Sequence, residues 1–164
     1  MLTDPWLAPV AAGPVAARVT VPGSKSLANR ALVLASLADA PSHIGGLPVG
    51  ARDLTLMTAA LAGLGARITP RSPGEVTVTP GSASGEVAVD CGLAGTVMRF
   101  VPPVAALGSA EVTFDGDPRA RERPMGPMLI GLRALGIDID DGGRARLPFT
   151  VRGRGVVPGG QVDV

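Results

Sequence analysis

The chain of 164 residues has one cysteine, Cys91, one histidine, His43, one tryptophan and no tyrosine. A lone cysteine excludes an internal disulfide framework and any multi-cysteine metal centre. A lone histidine argues equally against a histidine-ligated metal, so neither metal nor cofactor is expected. No apolar run approaches the ~20 residues needed to span a bilayer. The start lacks the positive charge of a secretory signal, and Pro9 and Pro14 break the Ala/Val stretch that follows. No membrane partner is therefore expected, and the expected compartment is the cytoplasm. Net charge is only +1, from 15 basic and 14 acidic side chains, which leaves no field for a polyanion to follow. Nucleic acid is accordingly not an expected partner.

Two further scarcities point the other way. Fourteen of the fifteen cations are arginine; the single lysine is Lys25, and the single asparagine, Asn29, lies four residues on. A GC-rich genome explains the bias but not the survival of lysine at this one place. Arginine cannot replace it where a compact ammonium must donate a proton or fit a tight pocket.

What the chain does have is 46% apolar residues, enough for a core, with 23 glycines and 16 prolines punctuating short apolar runs. Val15 to Val21 alternates as a strand. Pro22-Gly23-Ser24 is a turn, with Ser24 or Ser26 capping a helix to about Ala38 whose apolar face carries Leu27, Ala31, Leu34, Ala35 and Ala38. A strand is expected near His43 to Leu47 and a helix from Asp53 to Gly65. Short strands follow at Arg67–Thr69, Glu75–Thr79 and Glu86–Asp90. The order then recurs: a glycine-rich turn, a helix Thr96–Leu107 that Pro102 and Pro103 must kink or begin, a strand Glu111–Asp115, a helix Pro124–Leu135, and strands Ile137–Asp140 and Phe149–Arg152. LAGLGARI (61–68) lies 71 residues before LRALGIDI (132–139), and Arg30 lies 69 before Arg99. The reading is an α/β fold of two β-α-β-α-β-β units, about 22–90 and 91–160. Gln161 to Val164 looks like a fresh strand, the start of a third unit, so the sequence is expected to be cut short.

Three basic clusters each open a helix. In PGSKS (22–26) a strand feeds a helix N-terminus, where free amides and the dipole favour an anion. Ser26 and Arg30 share one face of that helix. Gly95 and Arg99 repeat the four-residue spacing, and Arg119, Arg121 and Arg123 crowd the loop before a further helix. Convergence on one anionic ligand is the economical explanation. A capped helix with solvated cations is the plain alternative.

These residues, in PGSKSLANRALVLASLA (22–38), DCGLAGTVMRF (90–100) and FDGDPRARERPMGPMLIGLRALG (114–136), resemble the 5-enolpyruvylshikimate-3-phosphate synthase family. The resemblance covers essentially the whole chain, yet only the N-terminal part of such an enzyme. It implies an inside-out α/β barrel, truncated, with helices packed inside and sheets facing out. Residues 1–21 would then hold a first strand belonging to the otherwise missing domain and pack poorly here, with 22–164 as the transferase lobe. It implies transfer of the enolpyruvyl group of phosphoenolpyruvate to the 5-hydroxyl of shikimate 3-phosphate with release of phosphate, by an enzyme monomeric when complete. Carried over by motif, Lys25 touches both substrates and transfers a proton. Ser26 and Arg30 hold shikimate 3-phosphate, while Gly95 and Arg123 hold phosphoenolpyruvate. Thr96, Arg99 and Asp53 are weaker candidates. Departures from the pattern are Leu93 for the usual Asn, Phe100 for a common Pro, and Arg52-Asp53 for a frequent Asp-Asp pair. The alternatives are UDP-N-acetylglucosamine enolpyruvyl transferase, whose loop lysine is followed by Asn instead of Ser26, and a non-catalytic anion-binding fragment.

Overall fold

The structure is a computed structural model and describes residues 7–162. The elements in order are α1 (Lys25–Ser36), β1 (Ser42–Ile44), α2 (Arg52–Gly63), β2 (Arg67–Ser72), β3 (Glu75–Thr79), β4 (Ser84–Asp90), α3 (Gly95–Leu107), β5 (Ser109–Asp115), α4 (Pro118–Arg121), α5 (Gly126–Ala134), β6 (Asp138–Asp140) and β7 (Phe149–Arg152). One sheet has the order β1-β3-β2, all antiparallel; the other has β4-β5-β7-β6, with only the β4–β5 pair parallel.

One pattern of strand pairing occurs twice among the described residues. β1-β3-β2 recurs as β5-β7-β6, and the chain turns from α2 into β2 and from α5 into β6 in the same way. Leu64 and Leu135 end α2 and α5, and Gly65 and Gly136 follow at φ 101° and 86°. The Ala66 amide then donates to Leu61 O at 3.0 Å, and the Ile137 amide to Leu132 O at 3.1 Å. This is the Schellman closure, which only glycine enters without strain. The sequence match at 61–68 and 132–139 is the imprint of that closure.

The units differ at their starts. β4, inside the 22–90 bounds expected for the first unit, pairs instead with the second half of the chain, in parallel to β5 from Ser84↔Ser109 to Asp90↔Asp115. The strand expected at Val15–Val21 is not formed: residues 7–24 carry no helix or strand and are exposed, Val15, Val19 and Val21 among them. Alternation supplied β propensity, but no strand among the described residues pairs with them to cover their apolar face. No strand begins at Gln161–Val162 either, and Asp163–Val164 lie outside the described residues.

Helices α1, α2 and α3 pack on one another between the sheets. The core is built on Leu32, Met57, Leu61, Val97, Met98 and Val101, all at 0% exposure, and Phe114 stacks on Phe149 at 5.1 Å. The buried stripe of α1 is Ala28, Leu32 and Ala35 with Asn29 and Ser36, not the face expected. Leu27 and Leu34 are 67% and 70% exposed, because the helix is apolar over more than one face and periodicity alone chose the wrong one. α3 begins at Gly95, so its prolines do not mark the start; the helix runs through them, with Pro102 buried.

Candidate active site

The parallel β4–β5 pair sets the site. Its strands end side by side at Asp90 and Asp115, and the chain then enters α3 and α4, so loops and helix starts gather at the carboxyl ends of parallel strands. Each aspartate fastens its own turn: Asp90 Oδ1 accepts from the Gly92 amide at 2.7 Å, and Asp115 Oδ1 from the Gly116 amide at 2.8 Å. The two turns are laced together by the Cys91 amide on Asp115 O and the Asp117 amide on Gly92 O, at 2.7 and 3.1 Å. A Cβ on Gly116 would stand 2.6 Å from Gly92 O. Glycine is therefore required there for close approach and not for φ. Cys91, wholly buried, has its thiol pushed up to about 12, by burial first and by Asp90 and Asp115 next. It is a packing residue, not a nucleophile.

Helix α1 is capped by Ser24, whose Oγ accepts from the Leu27 amide at 3.3 Å. Of the two capping serines the sequence allowed, Ser26 is thereby left free of that task. Lys25, the first residue of α1, is exposed and has no hydrogen-bond or ion-pair partner among the described residues. Arg30 turns back to donate to Ser26 Oγ and to Ser26 O, and its guanidinium lies 5.1 Å above the Phe100 ring. Phe100, noted in the sequence only as a departure, thus props Arg30 from the neighbouring helix.

Helix α3 repeats this arrangement. Arg99 donates to Gly95 O at 3.4 Å, the same back-bond over four residues that Arg30 makes to Ser26 O. Arg123 donates to Leu93 O at 2.9 Å. The replacement of the usual Asn at 93 therefore leaves a main-chain acceptor in use. A Cβ on Gly95 would meet Arg99 Nη1 at 2.8 Å and Arg123 Nη1 at 3.6 Å, so both cations flank this glycine. Ala94 offers no side-chain cap to α3, so no N-cap side chain accepts from the first amides of the helix.

The third cluster does not converge as a whole. Arg121 is claimed by Asp115 through bonds of 2.8 and 2.6 Å, and that pairing first of all holds the Asp115 carboxyl below its ordinary range. Arg119 is exposed. Only Arg123 reaches the start of α3. α4 is a single helical turn, and residues two apart on a helix point to nearly opposite sides. Asp53 lies half-buried in the first turn of α2 and bonds to no other candidate. Its neighbour Arg52 instead grips Asp117 with two bonds of 2.9 and 3.1 Å, a tie between the two units that the sequence did not disclose.

The α1 and α3 starts are joined directly. Asn29 Nδ2 donates to Thr96 Oγ1 at 2.6 Å, and Asn29 is fully buried. The Thr96 hydroxyl, a weaker candidate for ligand contact, is thus engaged by a neighbouring helix. Lys25, Ser26, Arg30, Gly95, Thr96, Arg99 and Arg123 consequently lie on two bonded helix starts and the loop beside them. Among the described residues, no group of three His, Cys, Asp or Glu side chains is arranged to hold a metal ion.

The sequence model of EPSP synthase (3-phosphoshikimate 1-carboxyvinyltransferase) matches residues 10–164. The chain belongs to the EPSP synthase family. It is 54% identical over 171 residues to the 3-phosphoshikimate 1-carboxyvinyltransferase of Kocuria rhizophila, covering 98% of this chain and 38% of that protein. Two solved structures of Acinetobacter baumannii EPSP synthase superpose with TM-score 0.71 at 26% identity, covering 82% and 83% of this chain and 31% and 32% of theirs. The chain thus spans well under half the length of the relatives it matches, and its fold is a truncated enolpyruvyl transferase fold.

Proposed function

We propose that this chain supplies one wall of a site that transfers the enolpyruvyl group of phosphoenolpyruvate to the 5-hydroxyl of shikimate 3-phosphate, releasing phosphate. The observation that carries the reading is the bonded pair of helix starts, each with an arginine folded back over its first turn and with Arg123 beside the second. Two anionic substrates need two such cradles at reacting distance.

In this reading Ser26 and Arg30 hold the phosphate of shikimate 3-phosphate, the Gly95 amide and Arg123 hold phosphoenolpyruvate, and Lys25 bridges both. Arg99 and Thr96 flank the phosphoenolpyruvate side, and Asp53 stands toward the sugar side. The 5-hydroxyl oxygen adds to C2 of phosphoenolpyruvate while a proton goes to C3. The resulting tetrahedral intermediate loses phosphate as C3 gives up a proton. Fixed cations stabilise the charge as it moves, and Lys25 is the group placed to carry a proton. The step invokes no cofactor or metal. Residues 22–164 form the lobe of two repeat units and the start of a third; residues 1–21 belong with another part of the protein. The full enzyme acts as a monomer in the cytoplasm, without nucleic acid or membrane. In support of the absence of nucleic acid, the net charge is +1, which gives a polyanion no field to follow.

The experiment is an assay of phosphate release by this chain alone and by this chain continued with the C-terminal remainder of the Kocuria relative. The chain alone is expected to be inactive and the continued protein active. Lys25→Arg should then cost at least a hundredfold, while Arg146→Lys, at an exposed position, leaves activity unchanged. Turnover by UDP-N-acetylglucosamine in place of shikimate 3-phosphate, or full activity of Lys25→Arg, overturns the reading.

A further inference from the structure

Asn29 has a chemistry that packing does not explain. It is the sole asparagine of the chain, and it sits at 0% exposure inside α1, one residue before Arg30 and four after Lys25. Asparagine is a poor helix former, and a buried amide is costly unless its hydrogen bonds are made. Here only one is. Nδ2 donates to Thr96 Oγ1 across 67 positions of sequence, whereas Oδ1 is buried with no partner. Leucine or alanine would fill this place in a three-helix core with no orphaned carbonyl. Retaining an amide that leaves one buried oxygen unpaired is a departure of the kind tolerated for a functional reason.

The bond also joins two particular points. Thr96 is the second residue of α3, directly after Gly95 and three before Arg99. Asn29 is flanked on α1 by Ser26 and Arg30. No other side-chain hydrogen bond among the described residues links α1 to α3; their remaining polar tie is the stacking of Arg30 on Phe100, one turn further along α3. We propose, building on the function given above, that Asn29 is a positioning residue: through the Thr96 hydroxyl it fixes the register of the two anion-holding helix starts and transmits occupancy of one to the other. It touches neither ligand. It sets how far the Gly95 amide stands from Ser26 and Arg30, and so how far the two substrates stand from each other. That is where a small displacement costs most in a two-substrate reaction.

The test is an amide NMR titration of the uniformly 15N-labelled chain with phosphoenolpyruvate. Because Asn29 is the only asparagine, its side-chain NH2 pair is identified by labelling with 15N-asparagine. The Gly95 amide is expected to move on binding, and the Asn29 side-chain pair and the Ser26 amide to move with the same midpoint. In Thr96→Val, which keeps shape and removes the hydroxyl, Gly95 still responds but the Ser26 response falls at least threefold; Thr96→Ser restores it. Asn29→Ala is the second variant, with the same loss expected, should Thr96→Val fail to fold. Gly95 moving while the Asn29 pair and Ser26 stay still overturns this inference and leaves the functional reading standing. So does a Ser26 response undiminished in either folded variant. A Gly95 amide that never moves in the wild-type chain overturns this inference, while the functional reading falls only if the chain continued with the C-terminal remainder of the Kocuria relative fails to release phosphate.

Discussion

Replacing Gly95 by alanine separates the two demands placed on the start of α3, because stability and ligand binding should move in opposite directions. Gly95 is the first residue of the helix and does not occupy the left-handed region, so alanine fits its backbone. Relative to glycine it narrows the unfolded ensemble and stabilises by about 0.4–1 kcal/mol, or about 1–4 °C in Tm for a chain of this size. The added Cβ, however, stands 2.8 Å from Arg99 Nη1 and 3.6 Å from Arg123 Nη1. The first contact is below normal van der Waals separation and is relieved only by swinging the Arg99 guanidinium aside. The methyl then occupies the space over the Gly95 amide where an anion oxygen would approach. Losing one charge-assisted bond costs about 1.5–3 kcal/mol, or about 10–150-fold in dissociation constant. Thermal denaturation followed by circular dichroism and a calorimetric titration with phosphoenolpyruvate measure the two effects on the same sample. Unchanged affinity would show that the anion is not held over Gly95. A fall in Tm would show that the backbone there is not free to take a side chain.

Other substitutions probe separate parts of the account. Arg30→Ala removes the bond to Ser26 and the stacking on Phe100, and should weaken shikimate 3-phosphate binding by about 1.5–3 kcal/mol in calorimetry. Arg30→Lys, which keeps charge but not the planar fork, should recover only part of that. Asp141 is buried, and burial raises its pKa. Yet the bonds from Arg133 at 2.8 Å and from the Ala145 and Gly143 amides at 2.8 and 3.1 Å outweigh that, and hold it below its ordinary 3.8. Its contribution to stability is therefore complete above pH 3.8 and lost as pH falls through the depressed value. Urea unfolding should show it constant from pH 7 to 5 and declining below about 4, a decline that Asp141→Asn lessens at a lower overall stability. Cys91 should resist a thiol reagent in the folded chain at pH 8 and react at once in denaturant, and prompt labelling of the folded chain would contradict its burial.

The clusters that open α1 and α3 were legible in sequence because each is local: Arg30 four residues after Ser26, and Arg99 four after Gly95, are set on one face by helix geometry alone. The repeat was legible for the same reason, since Gly65 and Gly136 mark identical helix ends. What escaped depended on partners distant in the chain. Leu27 and Leu34 look buried until α3 is seen to take the neighbouring stripe. Val15–Val21 has the alternation of a strand with no described strand beside it. Arg119, Arg121 and Arg123 look equivalent until Asp115 claims Arg121 and the chain, past the end of α4, carries Arg123 to Leu93 O. Asn29 and Phe100 stood out by scarcity and by departure, yet only the juxtaposition of α1 with α3 gives either a task.

The most direct test of the shared anion site is a crystal structure of this chain, continued with the C-terminal remainder of the Kocuria relative, with shikimate 3-phosphate and phosphoenolpyruvate. The account predicts the shikimate phosphate on Ser26 and Arg30, phosphoenolpyruvate between the Gly95 amide and Arg123, and Lys25 between the two. Phosphates bound elsewhere, with Lys25 and Arg123 turned to bulk solvent, would contradict it.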